Sequence, residues 1–359
     1  MSEGLPLLEL RGSARQMGRE HGEATRDLIQ QMLSELYAIV FAGLQDGPLH
    51  MRNRAWCLDW AKSHIPFLQA FDPALLEEAE GIAEGAALPL EEIIFLNGFL
   101  GVFDYVSPTF QAQRGLARGC TAFGVCDETQ TLIGQAYDLE AFHQAGALLL
   151  RLHPEDAPEC LVYTTAGMVG CAGMNAEGIG VVINNLIPND AQAGVPYPFL
   201  IRGLLKARHV GQAIDSVLGA RRASGTNYVL ADGQGFGAML ETSATDYALL
   251  PFHRDPRAHA NHYLAPNMLS YEARSIAARG NSIFRHNRMD ALLHWAHGGI
   301  DREQAKAFLS DHANYPLSIC HHHEPENKTI CGIVIDPRER AMMVSGGNPC
   351  TYPFISYEL

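Results

Sequence analysis

The residues best suited to covalent chemistry in this chain are Cys120 and the glycine before it, in the run Arg118-Gly119-Cys120-Thr121-Ala122-Phe123. A cysteine at the first position of a β-type run, deep inside the chain, suits one route. If the Gly119–Cys120 peptide bond is cut, the α-amine of Cys120 is released beside its own thiol. An α-amine has an ordinary pKa of about 7.7–8.0, suited to a general base near neutral pH. One residue then supplies nucleophile and base together. Gly119 leaves the scissile carbonyl unhindered and tolerates a strained backbone. A small, buried structural thiol is the competing reading.

Other reactive groups are less suggestive. The eight cysteines, Cys57, Cys120, Cys126, Cys160, Cys171, Cys320, Cys331 and Cys350, contain no CxxC pair, so neither a zinc ribbon nor a thioredoxin-like motif is indicated. His321, His322, His323 and Glu324 invite a metal, but adjacent side chains on an extended segment diverge. A solvated loop is expected there, and no metal ligand is assigned. GQGFG and EGIG lack the strand, turn and long helix of a nucleotide site, and there is neither a Walker A sequence nor a G-x-S-x-G elbow.

The elements that must position Cys120 change character at that residue. Before it the chain reads as helical. Ser13 and Gln16 fit a capping box, and Leu28, Met32, Leu36 and Val40 recur at helical spacing, which predicts one helix from about Ser13 to Ala42. A second begins near His50 and is interrupted around Pro66. A third starts at Asp72 and Pro73, with Leu76, Ala79 and Ile82 inward, and a fourth follows Pro89. After Gly119 come the strand-like runs TAFGV, LIGQAY, ALLLRLH, CLVYTT and GIGVVIN, then two helices from about Pro196 to Arg222. Strands TNYVLAD, GAMLETS and YALLPF, helices at 282–296 and 302–309, and the runs TICGIVID and AMMVSGG complete the chain. Strands and helix pairs in this alternation predict an α+β fold, two sheets packed together with helices outside each, a four-layer αββα sandwich.

The run RGCTAF followed by GQAYDLE resembles the acyl-coenzyme A:6-aminopenicillanate acyltransferase family. These are self-cleaving N-terminal-nucleophile cysteine enzymes related to choloylglycine hydrolases. GSARQMGREHG and GIAEGAALPLEEIIFLN resemble the family's propeptide half. MNAEGIGVVINN, HANHYL, SIFRHNRM and NYPLSIC resemble its catalytic half, in order. The resemblance implies the N-terminal-nucleophile hydrolase fold, with residues 1–119 and 120–359 as two associated fragments after cleavage. It implies Cys120 as nucleophile, Asp138 as the carboxylate holding the new α-amine, and Asn261 as oxyanion donor with Asn184 as a second. It also implies Arg285 as a site arginine, although Arg285 beside Arg288 reads equally as a solvated helix face. Ser243 and Ser318 match serines of the penicillin enzyme and are expected, with Tyr137 and Thr121, among the substrate-contacting residues. Gln135 departs from the arginine of choloylglycine hydrolases, and His321 stands where the penicillin enzyme has an arginine.

The expected activity is a self-processing amidohydrolase or acyltransferase that takes a small N-acylated amine or amino acid through an acyl-enzyme on Cys120. Two alternatives stay open, a coenzyme A thioester-dependent N-acyltransferase and an uncleaved homologue that binds a ligand without turnover. No cofactor is expected beyond a coenzyme A thioester as acyl donor. Lys plus Arg number 26 against 40 Asp plus Glu, a net charge of −14, which disfavours nucleic acid and anionic membrane as partners. A small amide or thioester, the two fragments of the chain and a further copy of it remain as partners. The N-terminus carries no secretory pattern and no run is long and apolar enough to span a bilayer, so cytoplasmic residence is the expectation.

Overall fold

The computed structural model describes residues 4–43, 53–106, 119–296, 299–323 and 327–359. Strand β1 (Leu7–Gly12) precedes helices α1 (Ala14–Ala24), α2 (Arg26–Gly43), α3 (Arg54–Lys62), α4 (Ile65–Phe71), α5 (Pro73–Ala86) and α6 (Leu90–Val106). Strands β2 (Thr121–Cys126), β3 (Thr131–Glu140), β4 (Ala147–Pro154), β5 (Cys160–Thr165), β6 (Ala172–Asn175) and β7 (Ile179–Leu186) follow. Next are α7 (Tyr197–Leu204), α8 (Val210–Gly219), β8 (Gly225–Asp232), β9 (Gly237–Thr242), β10 (Tyr247–Pro251) and β11 (Arg257–His259). The chain ends with α9 (Gly280–Trp295), α10 (Arg302–Leu309), β12 (Asn327–Asp336), β13 (Ala341–Ser345) and β14 (Phe354–Glu358).

The helix starts follow their caps. Ser13 accepts from the Gln16 N–H on α1, and Asp72 accepts from the Ala74 N–H ahead of Pro73 on α5. Asp301 and Gln304 form a reciprocal capping box on α10. The helix expected from Ser13 to Ala42 is instead two, joined at Thr25, whose φ of −121° and ψ of 17° leave the helical region. The expected break at Pro66 falls before it, at Ser63 and His64. Proline is tolerated in the first turn of α4, where its missing N–H costs no helix bond.

Two sheets result, an eight-stranded one in the order β1-β4-β5-β6-β7-β8-β9-β10 and a six-stranded one in the order β11-β2-β3-β12-β13-β14. Neighbours are antiparallel except β1, which pairs parallel to β4 with Leu7 opposite Leu149. The sheets pack face to face, with β2 and β3 against β7 and β8. Residues alternate across β3 as a pleated strand requires: Ile133 and Tyr137 enter the inter-sheet core, while Leu132 and Ala136 pack outward with Met289, Leu293 and Leu309 of α9 and α10. Helices α7 and α8 and the N-terminal helices cover the other sheet, giving the expected αββα order. The described residues before Cys120 share the core of the rest: one apolar cluster runs from Leu10 through α2, α5 and α6 into both sheets.

The two glycine-spaced segments of the N-terminal part have one structural cause. Helices α1 and α5 cross so closely that a Cβ on Gly18 would lie 2.0 Å from the Glu78 carbonyl oxygen, and one on Gly85 2.1 Å from that of Arg19. Only glycine permits that approach. Helix α5 then reaches α7 through a buried ion pair, Arg202 to Glu78 at 2.9 Å.

Candidate active site

Cys120 is the residue immediately before β2, and the sheet register brings the other groups to it. Strand β2 pairs with β3, Thr121 opposite Ala136, so Tyr137 and Asp138 lie just beyond the start of β2. Strand β12 flanks β3 on its other side, with a register shift between Thr329 and Cys331, opposite Asp138 and Tyr137. Strand β7, in the facing sheet, supplies Asn184 and Asn185. The segment after β11 supplies Asn261, and α9 supplies Arg285.

Cys120, Asp138, Asn185 and Asn261 line a cavity of roughly 470 Å³, mouth included, whose apolar wall is Leu100, Leu139, Ile183 and Ile187. Leu100 comes from α6, so the N-terminal part closes one side. Cys120 is 4% exposed. Burial pushes its thiol up to about 12, and the Asp138 charge adds to the rise, while the Asp138 N–H, the Gln135 side chain and the Arg285 charge oppose it. The intact chain therefore holds a neutral thiol.

Arg285 is fully buried, which corrects the solvated-face alternative. It donates to the Cys120 carbonyl at 2.8 Å, to the Thr121 hydroxyl at 2.8 Å and to Asn261 Oδ1 at 2.9 Å. Burial lowers its pKa from the ordinary value, while the negative charge of Asp138 acts to raise it. Asn261 Nδ2 donates to the Asn185 carbonyl at 3.0 Å and keeps a second N–H. Asn184 Nδ2 donates to the Cys120 carbonyl at 3.1 Å, and its Oδ1 accepts from Asn227. Asn184 thus holds the nucleophile's own backbone. Gln135 accepts from the Ile183 N–H and ties the two sheets beside the thiol.

Gly119 is required by space rather than by a strained conformation, since it is absent from the positive-φ glycines. A Cβ there would lie 2.0 Å from Asn261 Oδ1 and 2.5 Å from Arg285 Nη2. The carboxylate of Asp138 is buried, and neither oxygen makes a hydrogen bond among the described residues. His321 Nδ1 is 3.5 Å from Asp138 Oδ2. His321 is itself buried, its backbone bonded to Thr329, which corrects the expectation of a solvated histidine run.

Thr121 is buried against Arg285 and does not reach the cavity. Tyr137 lines the cavity with its ring, and its hydroxyl lies 3.3 Å from that of Tyr197. Ser243 and Ser318 do not line it. Ser243 donates to Asp190 and accepts from the Thr245 and Asp246 N–H groups in the turn after β9. Ser318 donates to the Cys320 carbonyl. Both hydroxyls are consumed by local turns, which corrects their expected place in the substrate pocket. Leu100, Asn185, Ile187 and Arg274 line the cavity without having been singled out in the sequence. For Asn185 a signal existed: in a strand its side chain must face opposite to that of Asn184.

Among the described residues no cluster of three metal-ligating side chains lines this cavity, and its polar groups suit acyl chemistry: a thiol, a buried carboxylate and amide donors around one carbonyl. An uncharacterised protein from Archaeoglobus fulgidus is 27% identical over 363 residues, covering 86% of this chain, which spans 58% of that protein's length. The acyl-coenzyme A:6-aminopenicillanic-acid-acyltransferase 40 kDa form of Emericella nidulans is 25% identical, covering 94% of this chain and 91% of that one. Among solved structures, penicillin V acylase from Agrobacterium tumefaciens aligns at TM-score 0.43 and 11% identity, over 67% of this chain and 86% of that one. A variant of the conjugated bile acid hydrolase from Clostridium perfringens aligns at 0.45 and 12%, over 67% and 97%. Residues 125–350, well over half of the sequence, match the profile of one family, and the chain belongs to it: the acyl-coenzyme A:6-aminopenicillanic acid acyl-transferase family.

Proposed function

We propose that this chain is a self-processing cysteine amidohydrolase or acyltransferase for a small N-acylated amine or amino acid. The observation that carries the reading is the convergence of Cys120, Asp138 and Asn261 on one cavity at the Gly119–Cys120 junction, with Arg285 bonded to the Cys120 carbonyl and Asn261 beside it. In processing, Cys120 Sγ attacks the Gly119 carbonyl, the peptide nitrogen leaves with a proton, and water resolves the thioester. Gly119 gains a carboxylate and Cys120 an α-amine. The Asp138 carboxylate, buried in the same cavity, orients that amine and stabilises the ammonium it becomes on accepting a proton.

In turnover the α-amine accepts the Cys120 thiol proton as Sγ attacks the substrate carbonyl. The Asn261 amide donates to the oxyanion, and the proton passes to the leaving amine. Water then releases the acyl group from sulfur, or an incoming amine accepts it. Arg285 and Asn184 position the nucleophile by holding its carbonyl. The apolar wall of Leu100, Leu139, Ile183 and Ile187 suits an acyl chain.

Intact mass and N-terminal sequencing of the purified chain test the first half. Two fragments, the second starting at Cys120, are expected for wild type and a single full-length chain for Cys120→Ala. A wild-type chain that stays whole rejects the reading. Supplying N-acyl amines and acyl-coenzyme A separately, and weighing the adduct on the Cys120 fragment, tests the second half and distinguishes the amide from the thioester donor.

A further inference from the structure

Four side chains of metal-ligand type, from three separated segments, meet beside the candidate active site. His312 follows α10, Cys320 and His322 flank His321 in the segment leading to β12, and Cys350 lies in the turn between β13 and β14. One ligand atom from each, two imidazole nitrogens and two sulfurs, lies within 4.8 Å of all the others. His312 Nε2 and His322 Nε2 are 3.2 Å apart, and Cys350 Sγ is 3.4 Å from His322 Nε2.

The two shorter separations match the edges of a metal tetrahedron. With zinc bonds of about 2.0–2.1 Å to nitrogen and about 2.3 Å to sulfur, ligand atoms lie roughly 3.3–3.8 Å apart. Cys320 is buried, His322 half-buried, and His312 and Cys350 reach the surface, so an ion has an entry path without a large cavity. The sulfur and imidazole donors, with no carboxylate among the four, suit a borderline-soft divalent ion rather than magnesium or calcium. The absence of CxxC is no obstacle, since the ligands are assembled by the fold rather than by one loop.

We propose that His312, Cys320, His322 and Cys350 form a closed, four-coordinate Cys2His2 site for zinc. On binding, the two thiols lose their protons to solvent, and the two thiolates balance the charge of the ion. Both histidines bind through Nε2 as neutral imidazoles. The ion's role is structural: it ties the segment before β12 to the β13–β14 turn. His321 lies between two of the ligands and faces Asp138, so the same clamp holds the wall beneath that carboxylate. The site is independent of the acyl chemistry proposed for Cys120 and stands or falls separately.

The test uses the full chain, expressed without a histidine tag and purified under reducing conditions. Elemental mass spectrometry is expected to find zinc at one ion per chain. Replacement by cobalt is expected to give the intense visible bands of tetrahedral Co²⁺ and a near-ultraviolet thiolate-to-metal band, a readout that needs no variant. Cys350→Ser and His312→Ala are each expected to weaken zinc binding by more than the ~10–100-fold that loss of an outer-shell partner costs, while His294→Ala, elsewhere on α9, retains it. Wild-type protein that takes up no stoichiometric zinc, a weak octahedral cobalt spectrum, full zinc retention in both variants, or a Cys320–Cys350 disulfide under those conditions overturns the proposal.

Discussion

Arg285 Nη1 lies 2.8 Å from the carbonyl oxygen of Cys120, and both residues are buried. A guanidinium costs much to bury, and four of the five N–H groups of this one are engaged: Asn281 takes its Nε–H, and Asn261, Thr121 and Cys120 take three more. The fork geometry does what an ammonium cannot, holding the nucleophile's carbonyl and the amide of Asn261 at once. Arg285→Lys is therefore expected to slow both chain cleavage and acylation by about 10²-fold or more, the scale of losing one preorganised donor. Fragment appearance and single-turnover acylation are the measurements, with circular dichroism to check the fold. Rates within threefold of wild type would remove Arg285 from the site.

Gly119→Ala probes the close approach on the other side of the scissile bond. Its Cβ would meet Asn261 Oδ1 at 2.0 Å, and both Asn261 and Arg285 are fixed by hydrogen bonds, so neither yields easily. Overpacking of this kind costs about 1–3 kcal/mol. The expected result is a lower melting temperature and a chain that stays whole on denaturing gels. A Gly119→Ala chain that cleaves at the wild-type rate contradicts the tight fit.

The two asparagines separate by what each one faces. Asn261 lines the cavity with an N–H to spare, whereas Asn184 is spent on the Cys120 carbonyl and Asn227. Asn261→Ala is expected to cut kcat by about 10²–10³-fold, and to lower the melting temperature as well, because a buried Arg285 N–H loses its acceptor. Asn184→Ala is expected to cost stability, about 1–3 kcal/mol for the Asn227 amide left without its acceptor, with a smaller effect on kcat because Arg285 still holds the Cys120 carbonyl. Reversed outcomes would exchange their roles.

How much of this was legible in the sequence depends on where each residue finds its partners. The interior strands β2, β3, β7, β8 and β9 read clearly because their side chains are buried along the whole length. Strands β1, β11 and β14, all at sheet edges, and the four-residue interior β6 did not, whereas edge strand β10 did, because Tyr247–Pro251 alternates cleanly between exposed and half-buried positions. Cys120 and Asp138 were visible in one continuous stretch. Arg285 was ambiguous, since on a polar helix nothing local distinguishes a buried arginine from its neighbour Arg288, and its acceptors lie more than 160 residues away at Cys120 and Thr121. Ser243 and Ser318 misled for the opposite reason: their own turns satisfy them. His322 was dismissed because adjacent histidines diverge, which they do, and the divergence is what sends His321 inward to Asp138 and His322 to His312 and Cys350.

Acid should destabilise the chain through His21. This histidine is buried between α1 and the facing sheet, its Nε2 accepting from the Gly167 N–H, and burial lowers its pKa to about 4. The sign follows from the neutral form being the one the fold accepts. A depressed folded-state pKa gives stability that is complete above the unfolded value of 6.5 and is lost as pH falls from there towards 4. At about 1.4 kcal/mol per unit, full loss amounts to about 3 kcal/mol. His21→Gln keeps a neutral acceptor for Gly167 and has no proton to gain. Denaturant unfolding across pH 7 to 4 is expected to show a flatter stability profile for His21→Gln than for wild type, with the two differing most at the acid end. Parallel profiles would mean that the acid sensitivity of this fold resides in other groups.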